Sequence, residues 1–420
     1  MIVNETITIA EGTSVNIRGA TPEATADGSH ATQLFHIDGA LSSLHLTDMI
    51  LTNGFAKSGG AVQATDHASV SLGGNTTFRD NIATCDGGAV TVTSSSKIVW
   101  DGKTIFKNNT SVHRYGGGLY VPKLSNVSWT GNTIFLGNFA KDGAGLFIHN
   151  ALAGTWSGTT TFEDNAVNST GGGFTIHTNS KASWTGETTF ARNIGYRAGA
   201  LFVWSSDVFW TGNTTFADNI ADTDGGAVYA TVGSSIGWQG TTVFRNNTAT
   251  TGNGGALGVY GYLSDEGAYV NVSGCTTFIN NSAFASGGAI FSSANSEGHY
   301  FEEVVFQSNS ASVGGAVATF GTGNGDELQA ASTTFLRCQF LDNTAEETGG
   351  AVASLFGQEH IISSEFSSNF AGEIQSLGLD AFVVCDKLAQ TEHPGYFTGT
   401  RLSLLPREVP QYCTSKSTGI

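Results

Sequence analysis

Basic residues are scarce: 18 Lys plus Arg stand against 35 Asp plus Glu, for a net charge of −17. With no basic stripe, the chain is not expected to bind nucleic-acid phosphates or anionic membrane surfaces. Neutral, cationic or carbohydrate partners remain open. The five Cys include no C-x-x-C pair, so they offer neither a zinc spacing nor a dense disulfide framework. No run approaches the roughly 18 apolar residues of a membrane-spanning helix. The opening Met1-Ile2-Val3-Asn4-Glu5-Thr6 lacks the basic and apolar regions of a secretory leader. Ile7 and Ile9 already alternate as in a strand, as expected of a fragment of a longer protein. No stretch carries an i, i+3, i+4, i+7 stripe long enough for a helix. What is abundant is Gly, 56 residues, with 27 Phe and 40% apolar content, which excludes a disordered chain.

The Phe residues are periodic. Phe78, Phe106, Phe135, Phe162, Phe190, Phe216, Phe244, Phe278, Phe306, Phe340 and Phe366 are each followed three positions later by Asn, at spacings of 26 to 34 residues. Ile50 with Asn53 reads as a degenerate twelfth copy. A few residues after each Asn comes a small tripeptide, Gly-Gly-Ala from Gly59, Gly87, Gly225, Gly254, Gly287, Gly314 and Gly349, with relaxed forms from Gly116, Gly143, Gly171 and Ala198. Six central Phe residues are preceded, six positions earlier, by Trp100, Trp129, Trp156, Trp184, Trp210 and Trp238. Each unit therefore holds three short strand-like runs rich in Val, Ile, Thr and aromatics, punctuated by Gly and Asn. A unit of this length cannot bury its own apolar face, and 28 residues are too few for a four-stranded propeller blade. The expected fold is all-β: a single parallel β-helix of about twelve coils rising ~4.8 Å per coil. Phe should stack inside the rod, Asn should form an internal amide ladder at a turn it can enter left-handed, and Gly-Gly should serve a second corner. The Trp column reads as core, with an exposed sugar-binding ribbon as the alternative.

The paired motif, as in Phe78 to Asn81 then Gly87-Gly88-Ala89-Val90, resembles the polymorphic outer-membrane protein repeats of chlamydial type, which also occur in eukaryotic β-helix proteins. The resemblance covers roughly residues 46 to 370. It implies a right-handed β-helix, in line with the general handedness of parallel crossovers. It also implies surface exposure or secretion, and a role as an autotransporter passenger or adhesin. The chain shows no C-terminal membrane β-barrel and ends Ser417-Thr418-Gly419-Ile420 without a terminal aromatic, so self-transport and anchoring are not carried over. Ten N-x-[ST] sequons, Asn75, Asn126, Asn168, Asn213 and Asn271 among them, fit a secreted eukaryotic protein, although the repeat itself generates many of them.

After each tripeptide the strand alternates: Leu119 and Val121, Leu146 and Ile148, Phe174 and Ile176, Leu201 and Val203 point inward. The second and fourth positions then point out, as Tyr120 and Pro122, Phe147 and His149, Thr175 and His177, Phe202 and Trp204, Tyr229 and Thr231. Seven of these, Tyr120, Phe147, His149, His177, Phe202, Trp204 and Tyr229, form an aromatic strip of the kind that marks an interaction site. The competing reading is that another part of the chain, such as the tail, covers the strip. His149 and His177 stack about 5 Å apart, but no carboxylate or third His shares their columns, so no metal and no cofactor is expected. A polysaccharide lyase or hydrolase would need converging carboxylates. The residue before the repeat Asn is Asp80, Asp164, Asp218 and Asp342, but intervening coils carry Asn108, Gly137, Arg192, Asn246, Asn280 and Ser308.

Residues 1–55 read as degenerate opening coils that cap the rod, 56–383 as the repeat domain and 384–420 as a non-repeating tail holding Pro394, Pro406 and Pro410. Cys385 and Cys413 flank the tail and are the disulfide candidates in an oxidising compartment. The reading is a non-catalytic extracellular or cell-surface passenger for adhesion or recognition of a receptor on a host or neighbouring cell, or of a glycan. A structural surface or wall protein is the second reading and a polysaccharide-active enzyme the third.

Overall fold

Short runs of β-branched and aromatic residues broken by Gly and Asn have one way to bury both their backbone and their apolar sides, which is to pair with the equivalent run of the next repeat. The computed structural model describes residues 1–372 apart from 22, 262–266, 294–295, 297, 325–326, 330 and 356–357, together with 381–384. These residues form a parallel β-solenoid of about twelve turns. Each full turn crosses four ladders, one more than the three runs expected. The coil containing Phe162 contributes Leu146–His149, Leu152–Trp156, Thr160–Glu163 and Ala166–Val167. We call the four the tripeptide, tryptophan, phenylalanine and short ladders. The short ladder escapes sequence reading because most of its rungs are two residues long, below the length at which alternation can be seen.

Register follows the repeat. Phe135 pairs with Phe162 and Phe162 with Phe190, Trp129 with Trp156, and Leu119 with Leu146. The Phe rings stack without interruption from Phe78 to Phe366, with centroids 4.5 to 5.1 Å apart. A buried Phe contributes about 1.5–3 kcal/mol, and ring contact adds about 0.5–1.5 kcal/mol. The Trp column is core: all six are buried and stack along the rod, with Trp184 turned 60° from Trp156. The sugar-binding ribbon is therefore not formed by these six. The degenerate twelfth copy lies one residue later than expected, since Leu51 pairs with Phe78 and Gly54 occupies the Asn position. Ile50 is also apolar but only partly buried, so the apolar pattern alone does not distinguish it from Leu51.

The Asn ladder forms, with one correction to its mechanism. Asn165 donates through Nδ2 to Phe135 O and to Asn193 Oδ1, both at 2.9 Å, while its own Oδ1 accepts from the backbone N and Nδ2 of Asn138. The left-handed residue of the turn is the one before it: Asp80, Asn108, Gly137, Asp164, Arg192, Asp218, Asn246, Asn280, Ser308 and Asp342 all have φ of 52° to 63°. Asp, Asn and Gly recur there because they tolerate that conformation. The acidic column considered for catalysis thus has a backbone reason to exist. Its carboxylates are exposed and partly paired: Arg192 Nε donates to Asp164 Oδ1 at 2.8 Å and its Nη2 reaches Glu163. At the second corner Gly87 takes φ +62°, and a Cβ on Gly88 would lie 2.3 Å from Gly117 O of the next coil.

Residues 1–55 join the ladders as coils, Ile7–Ile9 pairing with Phe35–Ile37. Near the other end, the insertion behind the long Phe306–Phe340 spacing forms a hairpin, Thr322–Asn324 against Glu327–Gln329, and Ala381–Val384 pairs antiparallel with Val352–Leu355. The core also turns polar there. His299 pairs with Thr333 and Thr333 with Glu359, in one column. Val270 N donates to His299 Nδ1 at 3.2 Å, so Nε2 carries the proton toward Ser292 Oγ at 3.0 Å. Burial pushes the His299 imidazole down to about 4. Glu359 keeps some residue surface, but both carboxyl oxygens are sealed from solvent. Burial pushes that carboxyl up to about 7, against the pull of the Thr319 and Ser354 hydroxyls. Cys385 and Cys413 lie outside the described residues.

Candidate recognition edge on the tripeptide ladder

The strands that follow the tripeptides carry the predicted strip on their outer face, in perfect register: Tyr120 pairs with Phe147, His149 with His177, His177 with Trp204 and Phe202 with Tyr229. Alternation therefore placed the seven residues on one face correctly. It did not predict how wet that face is. Phe147, Phe202 and Tyr229 are buried, at 4%, 4% and 3% exposure, and Tyr120 is half-buried.

The cover on the second-position rings is the turn just before each tripeptide, while the tail from residue 385 lies outside the described residues. Tyr115 stacks on Phe147 with centroids 4.4 Å apart, and the Arg197 guanidinium sits 5.7 Å from the Tyr229 ring centroid. Where the second position is Thr, its hydroxyl ties down the same turn: Thr91 Oγ1 donates to Asp86 O and Thr175 Oγ1 to Thr170 O. The second-position column is thus a small satellite core between strand and turn. Phe202, Tyr229 and Ala198 form one such cluster, against which Trp204 and Tyr260 pack. Tyr115 and Arg197 carry no periodic signal, so sequence reading missed them.

The fourth-position column is the accessible edge. His149, His177 and Trp204 are half-buried and consecutive: His149 meets His177 edge-on at 5.4 Å, and His177 stacks flat on Trp204 at 5.2 Å. Burial lowers the affinity of both imidazoles for a proton, and for His177 the neighbouring His149 adds to it. The rings continue beyond the predicted strip. Tyr229 stacks on Tyr260 at 4.6 Å, Tyr260 lies 5.2 Å from Phe291, and Phe291 lies 5.4 Å from Phe320. The same alternation past Tyr229 would have found these three. Tyr260 is anchored by its hydroxyl near Asp224 and Asn253 Nδ2, and its phenol is held well above the usual range by burial first and the Asp224 carboxylate second. Burial raises the Tyr120 phenol in the same way, with Asp86 as the next cause.

Beside this edge, at the corner leading into the tryptophan ladder, lies an open cleft of about 590 Å³ lined by Asn179, Ser180, Lys181, Ser205, Ser206, Asp207, Val232 and Gly233. Its origin is a difference in corner length. Three residues join His177 to Lys181 and three join Thr231 to Ser235, but two join Trp204 to Asp207. The short corner is recessed between two long ones. Lys181 Nζ and Asp207 Oδ2 are 2.9 Å apart within it. Among the described residues there is no helix long and apolar enough to cross a membrane, and no group of three His, Cys, Asp or Glu side chains that could hold a metal.

Comparison with known proteins adds one family. No curated protein and no solved structure is significantly similar to the chain. The model of the Chlamydia polymorphic membrane protein repeat matches residues 213–231 and 276–293, two segments that run from just before Phe216 and Phe278 through the tripeptide into Tyr229 and Phe291. The chain is a parallel β-solenoid in which two segments match the Chlamydia polymorphic membrane protein repeat, and that repeat family suggests association with the outer membrane or cell surface.

Proposed function

We propose that the chain is a non-catalytic passenger that acts by adhesion or recognition outside the cell, with the fourth-position edge of the tripeptide ladder as its docking surface. The observation that carries this reading is the His149, His177 and Trp204 stack, half-exposed on a rigid sheet beside an open cleft. Rings already packed against one another lose little conformational freedom when a partner covers their exposed edges. The net charge of −17 disfavours polyanionic partners at long range.

The test is a cell-surface binding assay comparing the unmodified chain with a His177→Ser, Trp204→Ser variant, once circular dichroism shows both to be folded β. Loss of binding in the variant supports the reading. Binding unchanged by the variant, or no binding by either chain, overturns it in favour of a structural surface protein.

A further inference from the structure

We infer that Glu359, with the hydroxyls of Thr319, Thr333 and Ser354, forms an internal site for a hard monovalent cation of sodium type in the last coils of the rod. The site arises where two neighbouring inward columns turn polar at the same level. On the tripeptide ladder the inward third position runs Val259, Ser292, Thr319 and Ser354. On the tryptophan ladder the inward second position runs Val270, His299, Thr333 and Glu359. Two adjacent coils therefore each place one oxygen-bearing side chain from each of two ladders around the same point: Thr319 with Thr333, then Ser354 with Glu359. Thr319, Thr333 and Ser354 are as buried as the apolar residues they replace.

The coil before these two closes its polar groups by its own hydrogen bonds. His299 Nε2 meets Ser292 Oγ at 3.0 Å, and Ser292 Oγ meets Ser296 Oγ at 2.8 Å. The next two coils do not. Thr333 Oγ1 is sealed from solvent without a hydrogen-bond partner, and both Glu359 oxygens are sealed beside it on the paired residue. The groups that bear on that carboxyl are the Thr319 and Ser354 hydroxyls, with no cation among the described residues, and burial holds the His299 imidazole neutral. An ionised carboxylate sealed in a core without a countercharge is costly, and an orphaned buried hydroxyl next to it calls for a further bound group. The donor set names that group. A carboxylate and three hydroxyls are all hard oxygens, which suit alkali and alkaline-earth ions rather than zinc or copper. One carboxylate brings one charge, so a monovalent ion leaves the core neutral where a divalent ion would leave it positive. Each hydroxyl can turn a lone pair to the ion while its proton faces elsewhere. No described strand of the tryptophan ladder lies beyond Gln358–Ile362, so an ion reaches the site from the end of the rod.

The test is hydrogen exchange of the full chain at pH 8, where the Glu359 carboxyl, pushed up to about 7 by burial, is ionised. Exchange is compared in sodium, potassium and choline chloride at about 200 mM, which share one ionic strength and differ in whether the cation fits a small oxygen cage. Relative to choline, sodium should slow exchange of Ser332–Leu336 and Gln358–Ile362 about fivefold or more, the effect of a site with a dissociation constant of ~50 mM or tighter. The central coils around Asn165 should not respond. Glu359→Gln keeps the shape and removes the charge, so it should abolish the difference between sodium and choline; Thr333→Val removes one oxygen and should reduce it. Each comparison is made between salts within one chain, so a variant of lower stability still reports. Slowing by potassium in place of sodium fixes the size of the ion and supports the site. Equal exchange in all three salts overturns the inference, as does slowing that Glu359→Gln retains or that spreads over every coil. Slowing by added calcium with none by either alkali ion overturns the monovalent assignment.

Discussion

Removing one amide from the middle of the Asn column tests the physical account of this fold most directly. Asn193 is fully buried; its Oδ1 accepts from the Asn165 backbone N at 3.1 Å and from Asn165 Nδ2 at 2.9 Å, and its Nδ2 donates to Phe162 O and Asn219 Oδ1. In Asn193→Ala the backbone bond from residue 193 to Asn219 Oδ1 survives, but two donors of Asn165 are stranded where water has no access. At about 1–3 kcal/mol for each unpaired buried donor, the cost is about 2–6 kcal/mol. In a solenoid this cost falls on the coils around the lesion. Guanidinium unfolding should therefore show a midpoint drop, and hydrogen exchange should show the Asn165 amide losing protection. Asn132→Ala, at an exposed position, should change stability by no more than about 0.5 kcal/mol. A loss under about 1 kcal/mol for Asn193→Ala, with the Asn165 amide still protected, would refute the claim that the amide ladder holds the coils in register.

Other expectations follow from the polar column near the C-terminal end. The Glu359 carboxyl is raised to about 7, so its stabilising neutral form is fully present below about pH 4.5 and lost as pH rises through 7; the His299 imidazole is lowered to about 4, so its contribution is present above about pH 6.5 and lost as pH falls toward 4. The two slopes oppose one another between about pH 4.5 and 6.5, which predicts that Glu359→Gln unmasks a rise of up to about 1.4 kcal/mol per pH unit in the local stability of these coils, seen by hydrogen exchange; a variant no steeper than the parent would contradict it. Cys338 is buried with its thiol pushed up to about 12, so an alkylating reagent should leave it unmodified in the native chain and label it when the last coils open, with mass spectrometry of its peptide as the readout. Phe162→Ala, in the middle of the ring stack, should cost about 3–5 kcal/mol, whereas Phe209→Ala, at an exposed position, should cost less than about 1 kcal/mol, both by denaturant titration.

How far the molecule could be read from its sequence depended on which signals repeat. The Phe and Asn columns recur in eleven successive coils and the small-residue corner in most, and the structure places them where periodicity put them, down to Phe-on-Phe register. The reading slipped where the pattern is short or ambiguous. Leu51 and Ile50 are both apolar, and one residue of register exchanges inside for outside, so periodicity alone does not separate them. The left-handed turn position was assigned to Asn when the residue before it takes that conformation, since both positions are rich in Asn. At the candidate edge, alternation shows which way a side chain leaves the strand but is blind to what folds back over it, as Tyr115 does over Phe147 and Arg197 over Tyr229.

The Asn column has one more consequence. Every amide in it points the same way, Nδ2 toward the Oδ1 of the following coil from Asn81 through Asn343, so each coil presents an identical socket to its successor and an identical plug to its predecessor. A coil can then be copied or excised in frame without either neighbour detecting the splice. Length becomes a heritable variable separate from folding: the distance at which the rod presents its aromatic edge can be tuned by gene duplication in steps of about 4.8 Å, with no new core to design.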